Sequence, residues 1–177
     1  LSVYSSENMY ATPEQTLNTV ITGNINKNDE SFSSAAKAIT TNVSFYDNLG
    51  YEYRATLSIT QDAANPYSYN ITCTGMACNG KDMGLTDAEL QAVIDNVNIT
   101  FNDADGSLAT GNPLTLKVTG LGAAFNKDIE VDVSQITCFG KDTSLKPKKG
   151  NAEGFYAGLA AGKMTTVSIQ TDGKIVA

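Results

Sequence analysis

The chain's most reactive side chains are three thiols, Cys73, Cys78 and Cys138, and there is no histidine to activate them. Cys73 and Cys78 have C-x4-C spacing, and Cys138 lies far along the chain. Structural zinc asks for four ligands, normally Cys and His. Three Cys without His argue against a metal site. A nucleophilic thiol needs an imidazole or another electropositive neighbour, and no nucleophile–base pair is visible. Cys73 and Cys138 fall on apolar strand faces and read as small buried hydrophobes. Cys78, in a polar stretch, reads as the most exposed thiol. A disulfide between two of the three stays open for an extracellular protein.

The other chemical candidates have plainer readings. Asp103-Ala104-Asp105-Gly106 faintly resembles a calcium loop, but an EF-hand needs glycine at position six and glutamate at twelve. It reads as a turn. Asn42-Val43-Ser44, Asn70-Ile71-Thr72 and Asn98-Ile99-Thr100 match the N-glycosylation pattern. All three fall in expected strands of an Asn- and Thr-rich chain, and read as chance triplets. Lys141, Lys146, Lys148 and Lys149 form a local basic run. Its plain reading is a solvated linker, and its sharper one a contact with an acidic neighbouring subunit. Paired acids for sugar hydrolysis are not singled out. No catalytic, cofactor-binding or metal-ligating residue is assigned.

Composition narrows the classes further. Lys and Arg number 12 against 19 Asp and Glu, a net charge of −7. Phosphates need a basic footprint, so nucleic acid is disfavoured, as is an anionic membrane surface. No run approaches the 18 apolar residues of a spanning helix. With 41% hydrophobic residues over 177 positions, one or two domains with a real core are expected. The ends, LSVYSS and TDGKIVA, read as strands cut mid-domain, as in an excised piece.

The element that organises the rest is Ile39–Thr60. Ile39, Thr41, Val43, Phe45, Tyr51, Tyr53, Ala55, Leu57 and Ile59 alternate with polar residues, which predicts two half-buried strands. A three-residue loop, Asn48-Leu49-Gly50, closes Asp47 against Tyr51. It pairs Phe45 with Tyr53, Val43 with Ala55 and Thr41 with Leu57. A one-residue slip would turn every apolar side chain outward. Gly50 supplies the left-handed residue that such a loop requires.

Weaker strands are expected at Leu1–Ser5, Thr16–Thr22, Tyr67–Thr74, Val97–Phe101, Leu114–Thr119, Ile129–Cys138 and Met164–Gln170, with Ile175–Ala177 starting a last one. Gly23-Asn24 is read as breaking the second of these, and a shift of phase within Ile129–Cys138 predicts a bulge. Asn8–Gln15, Asn24–Ala36, Gly75–Gly84, Asn102–Asn112, Leu121–Lys127 and Lys141–Gly150 read as connectors or loops. Leu85–Asn96 is the one good helix, with Thr86 as N-cap and Glu89 completing a capping box. Leu90, Val93 and Ile94 form its apolar stripe. The fold class is mainly β: an antiparallel barrel- or sandwich-like body with one short helix.

Several segments, taken in order, resemble the bacterial flagellar hook protein family. Ala11–Asp29, ATPEQTLNTVITGNINKND, looks like the family's passage from an inner to an outer domain. Val43–Leu57, VSFYDNLGYEYRATL, is similar to its V-x-V-Y-D-S-L-G hairpin, with Asn48 in place of the usual serine. Gly158–Val176, GLAAGKMTTVSIQTDGKIV, is similar to its return segment, with Gln170 departing from an acidic residue. Ile99–Leu108, ITFNDADGSL, looks like an F-D-x-x-G-x-L strand pair. Gly75–Asn96 has no counterpart and looks like a variable insertion.

The resemblance implies an outer β domain, 24–149, inserted between edges of an inner one, 1–23 and 150–177. Gly23 and Gly150 would lie near the crossings. It implies a structural role without catalysis or cofactor, in an extracellular, self-assembling tube that joins the flagellar motor to the filament. The partners would be neighbouring hook subunits, while the piece alone would be a monomer. The rivals are a distal-rod or hook-cap relative and an extracellular carbohydrate-binding or adhesin β-sandwich. For the latter, Tyr46 on the polar hairpin face is the single hint. An enzyme is a distant third.

Overall fold

The computed structural model describes residues 10–34, 38–95, 98–163, 168–169 and 175–176. In chain order the strands are β1 (Tyr10–Ala11), β2 (Asn18–Asn24), β3 (Ile39–Tyr46), β4 (Glu52–Gln61), β5 (Ser68–Cys78) and β6 (Lys81–Asp82). Helix α1 (Asp87–Ala92) follows, then β7 (Ile94–Asp95), β8 (Asn98–Phe101), β9 (Leu108–Thr110) and β10 (Leu114–Leu116). The chain continues with β11 (Ile129–Asp132), β12 (Ile136–Thr137), β13 (Ser144–Lys149), β14 (Gly162–Lys163), β15 (Ser168–Ile169) and β16 (Ile175–Val176). Short 3-10 turns sit at Glu30–Phe32 and Thr119–Leu121. The fold is mainly β, as composition and periodicity predict. The strand expected at Leu1–Ser5 lies outside the described residues. So do the turn at 171–174 and most of Met164–Gln170, although Ser168 pairs with Val176 and Ile169 with Ile175.

The central hairpin has the expected register. Phe45 faces Tyr53, Val43 faces Ala55 and Thr41 faces Leu57. The Asp47 N–H donates to the Tyr51 carbonyl at 3.2 Å, and Gly50 takes φ +85°. Val43, Phe45, Ala55, Leu57 and Ile59 are buried. Each large apolar side chain fully withdrawn from water contributes about 1.5–3 kcal/mol. The hairpin opens a six-stranded sheet ordered β3-β4-β5-β8-β9, with β6 also on β5.

The loop expected over Gly75–Gly84 is corrected at its start: β5 runs on through Gly75 to Cys78. The reason is a bulge. Leu57 faces Cys73 while Thr56 faces Gly75, so Thr74 is an extra residue. The slip moves the inward position from odd to even, and Met76 takes the place in the core that continued alternation would have given residue 75. Asn79 (φ 49°) and Gly80 (φ 79°) then turn the chain tightly into β6, as an Asn-Gly pair does.

The second sheet is built on β2. That strand reaches Asn24, past the expected break at Gly23, and Ile25 beyond it is fully buried. On one side β2 pairs in parallel with β11 (Val131 opposite Thr19) and with β12 (Ile136 opposite Gly23). From Val20 to Gly23 is three steps, while Asp132 to Ile136 is four, so the predicted bulge is one extra residue here. On the other side β2 pairs antiparallel with β13 over six residues. The Lys141–Gly150 linker is therefore corrected in part: its second half is a strand. Gly23 (φ +129°) lies so close to the Ser144 carbonyl that a Cβ has no room. Antiparallel β10 and β7 complete the sheet beyond β11.

The helix keeps its predicted cap but is shorter than Leu85–Asn96. Thr86 Oγ1 accepts from the Glu89 N–H, and the Glu89 carboxylate accepts from the Thr86 N–H at 2.8 Å. Leu90, Val93 and Ile94 are buried, as the stripe requires. Ile94 leaves the helix because its backbone joins β10 instead. Both sheets and the helix share one apolar core, and Tyr69, Phe45, Ile99, Leu114 and Ile129 are among its fully buried members.

Candidate functional site

The reactive side chains do not converge. Cys73 and Cys138 are buried, and Cys78 is half-buried on β5 rather than in a polar loop. All three are free thiols. The Cys73 thiol donates to the Gly75 carbonyl at 3.4 Å, and burial pushes its pKa up. Cys138 lies 3.8 Å from the Tyr69 hydroxyl. Among the described residues, no three His, Cys, Asp or Glu side chains gather as a metal site. Asp103–Gly106 forms a turn: Gly106 (φ 70°) donates to the Asn102 carbonyl at 2.9 Å. Asp105 Oδ1 accepts from the Ser107 hydroxyl at 2.6 Å and from its N–H at 2.9 Å. These bonds hold its carboxyl below the usual carboxylate range.

One polar surface, one groove and one paired stem are formed instead. The outward face of the hairpin sheet is polar but nearly uncharged. It carries Thr40, Asn42 and Ser44 on β3, Thr56, Ser58 and Thr60 on β4, Asn70 and Thr72 on β5, and Asn98 and Thr100 on β8. The three glycosylation-like triplets lie in these strands because such a face is made of Asn, Thr and Ser. Cross-strand bonds tie it together, such as Thr56 Oγ1 to Asn42 Oδ1 at 2.9 Å. The groove, about 550 Å³, lies beside α1. Its apolar part comes from Met83, Leu85, Val93 and Leu121, and its rim includes Glu89, Lys117 and Asp128.

Tyr46 does not offer a bare aromatic platform. Lys149 Nζ sits 4.4 Å from its ring centroid and 3.2 Å from Glu52 Oε1. Sequence reasoning placed Lys149 in a solvated run. Alternation along SLKPKK was the available signal: Leu145, Pro147 and Lys149 are half-buried while Lys146 and Lys148 are exposed.

The third feature is a stem made by the two ends of the body. Alongside the β2–β13 ladder, the Gly150 N–H donates to the Asn18 carbonyl at 2.7 Å and the Leu17 N–H to Tyr156 at 2.9 Å. Glu14 and Leu159 exchange backbone bonds at 3.0 and 2.9 Å, and β1 pairs with β14. Thr16 ties the stem to the hairpin. Its hydroxyl donates to the Ala157 carbonyl at 2.8 Å and accepts from the Tyr46 N–H at 2.9 Å. Buried Gln15 accepts from the Asn126 N–H at 2.9 Å. These polar groups were missed in the sequence, since only tertiary pairing gives Gln15 and Thr16 their partners.

Asn24 seals the far end of the stem. Its Oδ1 accepts from the Phe139 N–H at 2.8 Å and from Thr137 Oγ1 at 2.8 Å, while its amide donates to the Lys141 carbonyl at 2.9 Å. A buried amide with partners on both atoms is costly to replace.

Comparison with known proteins adds the family. No curated protein matches the chain. The crystal structure of the Helicobacter pylori flagellar hook protein FlgE2 is similar at 14% identity and a TM-score of 0.44, over 78% of this chain and 29% of that one. The model of the flagellar basal body protein FlaE D2 domain matches residues 13–152, which takes in the hairpin sheet, the β2 sheet and most of the stem. The chain belongs to the flagellar basal body protein FlaE D2 domain family.

Proposed function

We propose that this chain is the outer part of a flagellar hook subunit, working as a structural and mechanical element rather than as an enzyme. The family match supports the reading. The observation that carries it is the paired stem. Lead-in and return strands run side by side from Tyr10 and Lys163 to Asn24 and Ser144. A load applied at the base then reaches the body through two strands bonded to each other.

The division of the chain belongs to the same proposal: 1–23 and 150–177 are edges of an inner domain and 24–149 is the outer one, with β2 crossing the boundary, since it is also central to the second sheet. The whole protein is proposed as a homopolymer of hook subunits, extracellular, at the base of the flagellum. An Asn-, Thr- and Ser-rich face suits contacts that must shift as a tube bends, since it has neither a large apolar patch nor dense charge. Among the described residues no helix is long and apolar enough to cross a membrane.

The experiment is immunogold electron microscopy of the bacterium that carries the gene, with antibodies raised against residues 10–163. Label on the curved segment between cell body and filament is expected. Label confined to the filament, the distal tip or the general cell surface would overturn the reading.

A further inference from the structure

Residues opposite one another in a ladder share a face, and neighbours along a strand alternate. In the β2 sheet Ile21, Ile129 and Val131 point into the core. Their neighbours therefore lie on the opposite face, where Val20 is itself covered, at 4% exposure. Register then fixes the rows: Lys148 beside Val20 beside Asp132, Lys146 beside Thr22, and Asn18 beside Glu130. Over β13, β2 and β11 the outward face is divided by sign, and beyond Glu130 its row runs through Thr115 to Asp95, which pairs with Lys117. Exposed Lys146 and Lys148 line β13, while Glu130, exposed, and Asp132, half-buried, line β11.

The two stripes do not neutralise each other. β2 lies between them, so they stand about 10 Å apart, two strand spacings. That is close to a Debye length at physiological salt. Among the described residues the ion pairs are Lys117–Asp95 and Lys149–Glu52, so none of Lys146, Lys148, Glu130 and Asp132 is in an ion pair. Asp132 accepts only a local bond from the Ser134 N–H at 2.9 Å. Lysines on an edge strand also deter stray pairing, but that role calls for no acidic stripe two strands away.

We infer that this face is a contact between copies of the chain, in which the Lys146/Lys148 stripe of one copy meets the Glu130/Asp132 stripe of the next. This rests on the hook reading. Stripes of opposite sign on one face would close a two-fold pair if two copies met face to face; the head-to-tail arrangement, the one inferred, builds a helical assembly when its rotation does not close into a ring. In a chain of net charge −7, one unneutralised basic stripe finds its best partner in the acidic surface of another copy.

The test is assembly of the full-length protein, comparing wild type, K146E/K148E, E130K/D132K and the variant with all four changes. Circular dichroism checks that each is folded. Either reversal alone is expected to raise the critical concentration for polymer formation about tenfold. The four-change variant, which restores opposite signs, is expected to return toward wild type, and added salt to weaken the wild type. Folded single reversals that assemble at the wild-type concentration overturn the inference, as does a four-change variant no better than either reversal. Wild-type protein that never polymerises counts against the hook reading itself, and the inference falls with it.

Discussion

Tyr69 and Cys138 meet across the core, with the phenol oxygen 3.8 Å from the sulfur. Tyr69 belongs to β5 of the hairpin sheet, and Cys138 directly follows β12 of the other. The contact therefore joins the two sheets. The Tyr69 ring also packs on Phe32 and Phe101, at centroid distances of 5.4 and 5.8 Å. Replacing Tyr69 by Ala should cost about 3–5 kcal/mol. Tyr69→Phe should cost about 1 kcal/mol, the net worth of one modest hydrogen bond. Urea unfolding measures both, and equal losses would show that ring packing is not what Tyr69 contributes.

The thiols should react in a set order. Cys78 is half-buried, while Cys73 and Cys138 are buried, and desolvation also raises the Cys73 pKa. The thiolate is the reactive form. An aromatic disulfide reagent should modify Cys78 first in native protein, and the other two only as urea opens the core. Cys78→Ser should abolish the fast phase. A fast phase that survives that change would contradict the burial described here.

Gly50 holds the hairpin turn against the stem. At φ +85°, a Cβ there would come within 2.6 Å of the Ala161 nitrogen and 3.0 Å of Pro13 Cβ. Strain and clash then act together. Gly50→Val should destabilise by about 1–3 kcal/mol, with a matching drop in thermal midpoint. A neutral outcome would mean that turn and stem move apart freely.

Alkaline pH should loosen the core. Burial, first of all, holds the Tyr53 and Tyr69 hydroxyls above their ordinary pKa of 10.0. Each therefore contributes stability fully present below pH 10.0, the unfolded value, and lost as pH rises through its higher folded value. Stability measured by denaturant at pH 9, 10 and 11 should fall across the series, and Tyr53→Phe/Tyr69→Phe should flatten the decline. An unchanged slope in that double variant would assign the alkaline loss to other groups.

Much of this protein is written locally. The hairpin register follows from period-two alternation and one glycine, because any slip would turn Phe45 and Leu57 to water. The Thr86–Glu89 capping box is equally local, four residues satisfying their own backbone. The absence of histidine disfavoured acid–base and metal chemistry before any fold was known.

What escaped the sequence is long-range pairing. No local pattern in LKPKK shows that β13 runs beside β2, over a hundred residues earlier in the chain. Nor does periodicity reveal that β2 lies parallel to β11 and β12, because parallel and antiparallel ladders bury the same alternate residues. The bulge at Thr74 was hidden because an extra residue breaks the very alternation used to find strands. The charge-divided face and the paired stem arise from those pairings. Side-chain alternation is a property of one strand, whereas a face or a stem exists only once strands are set side by side.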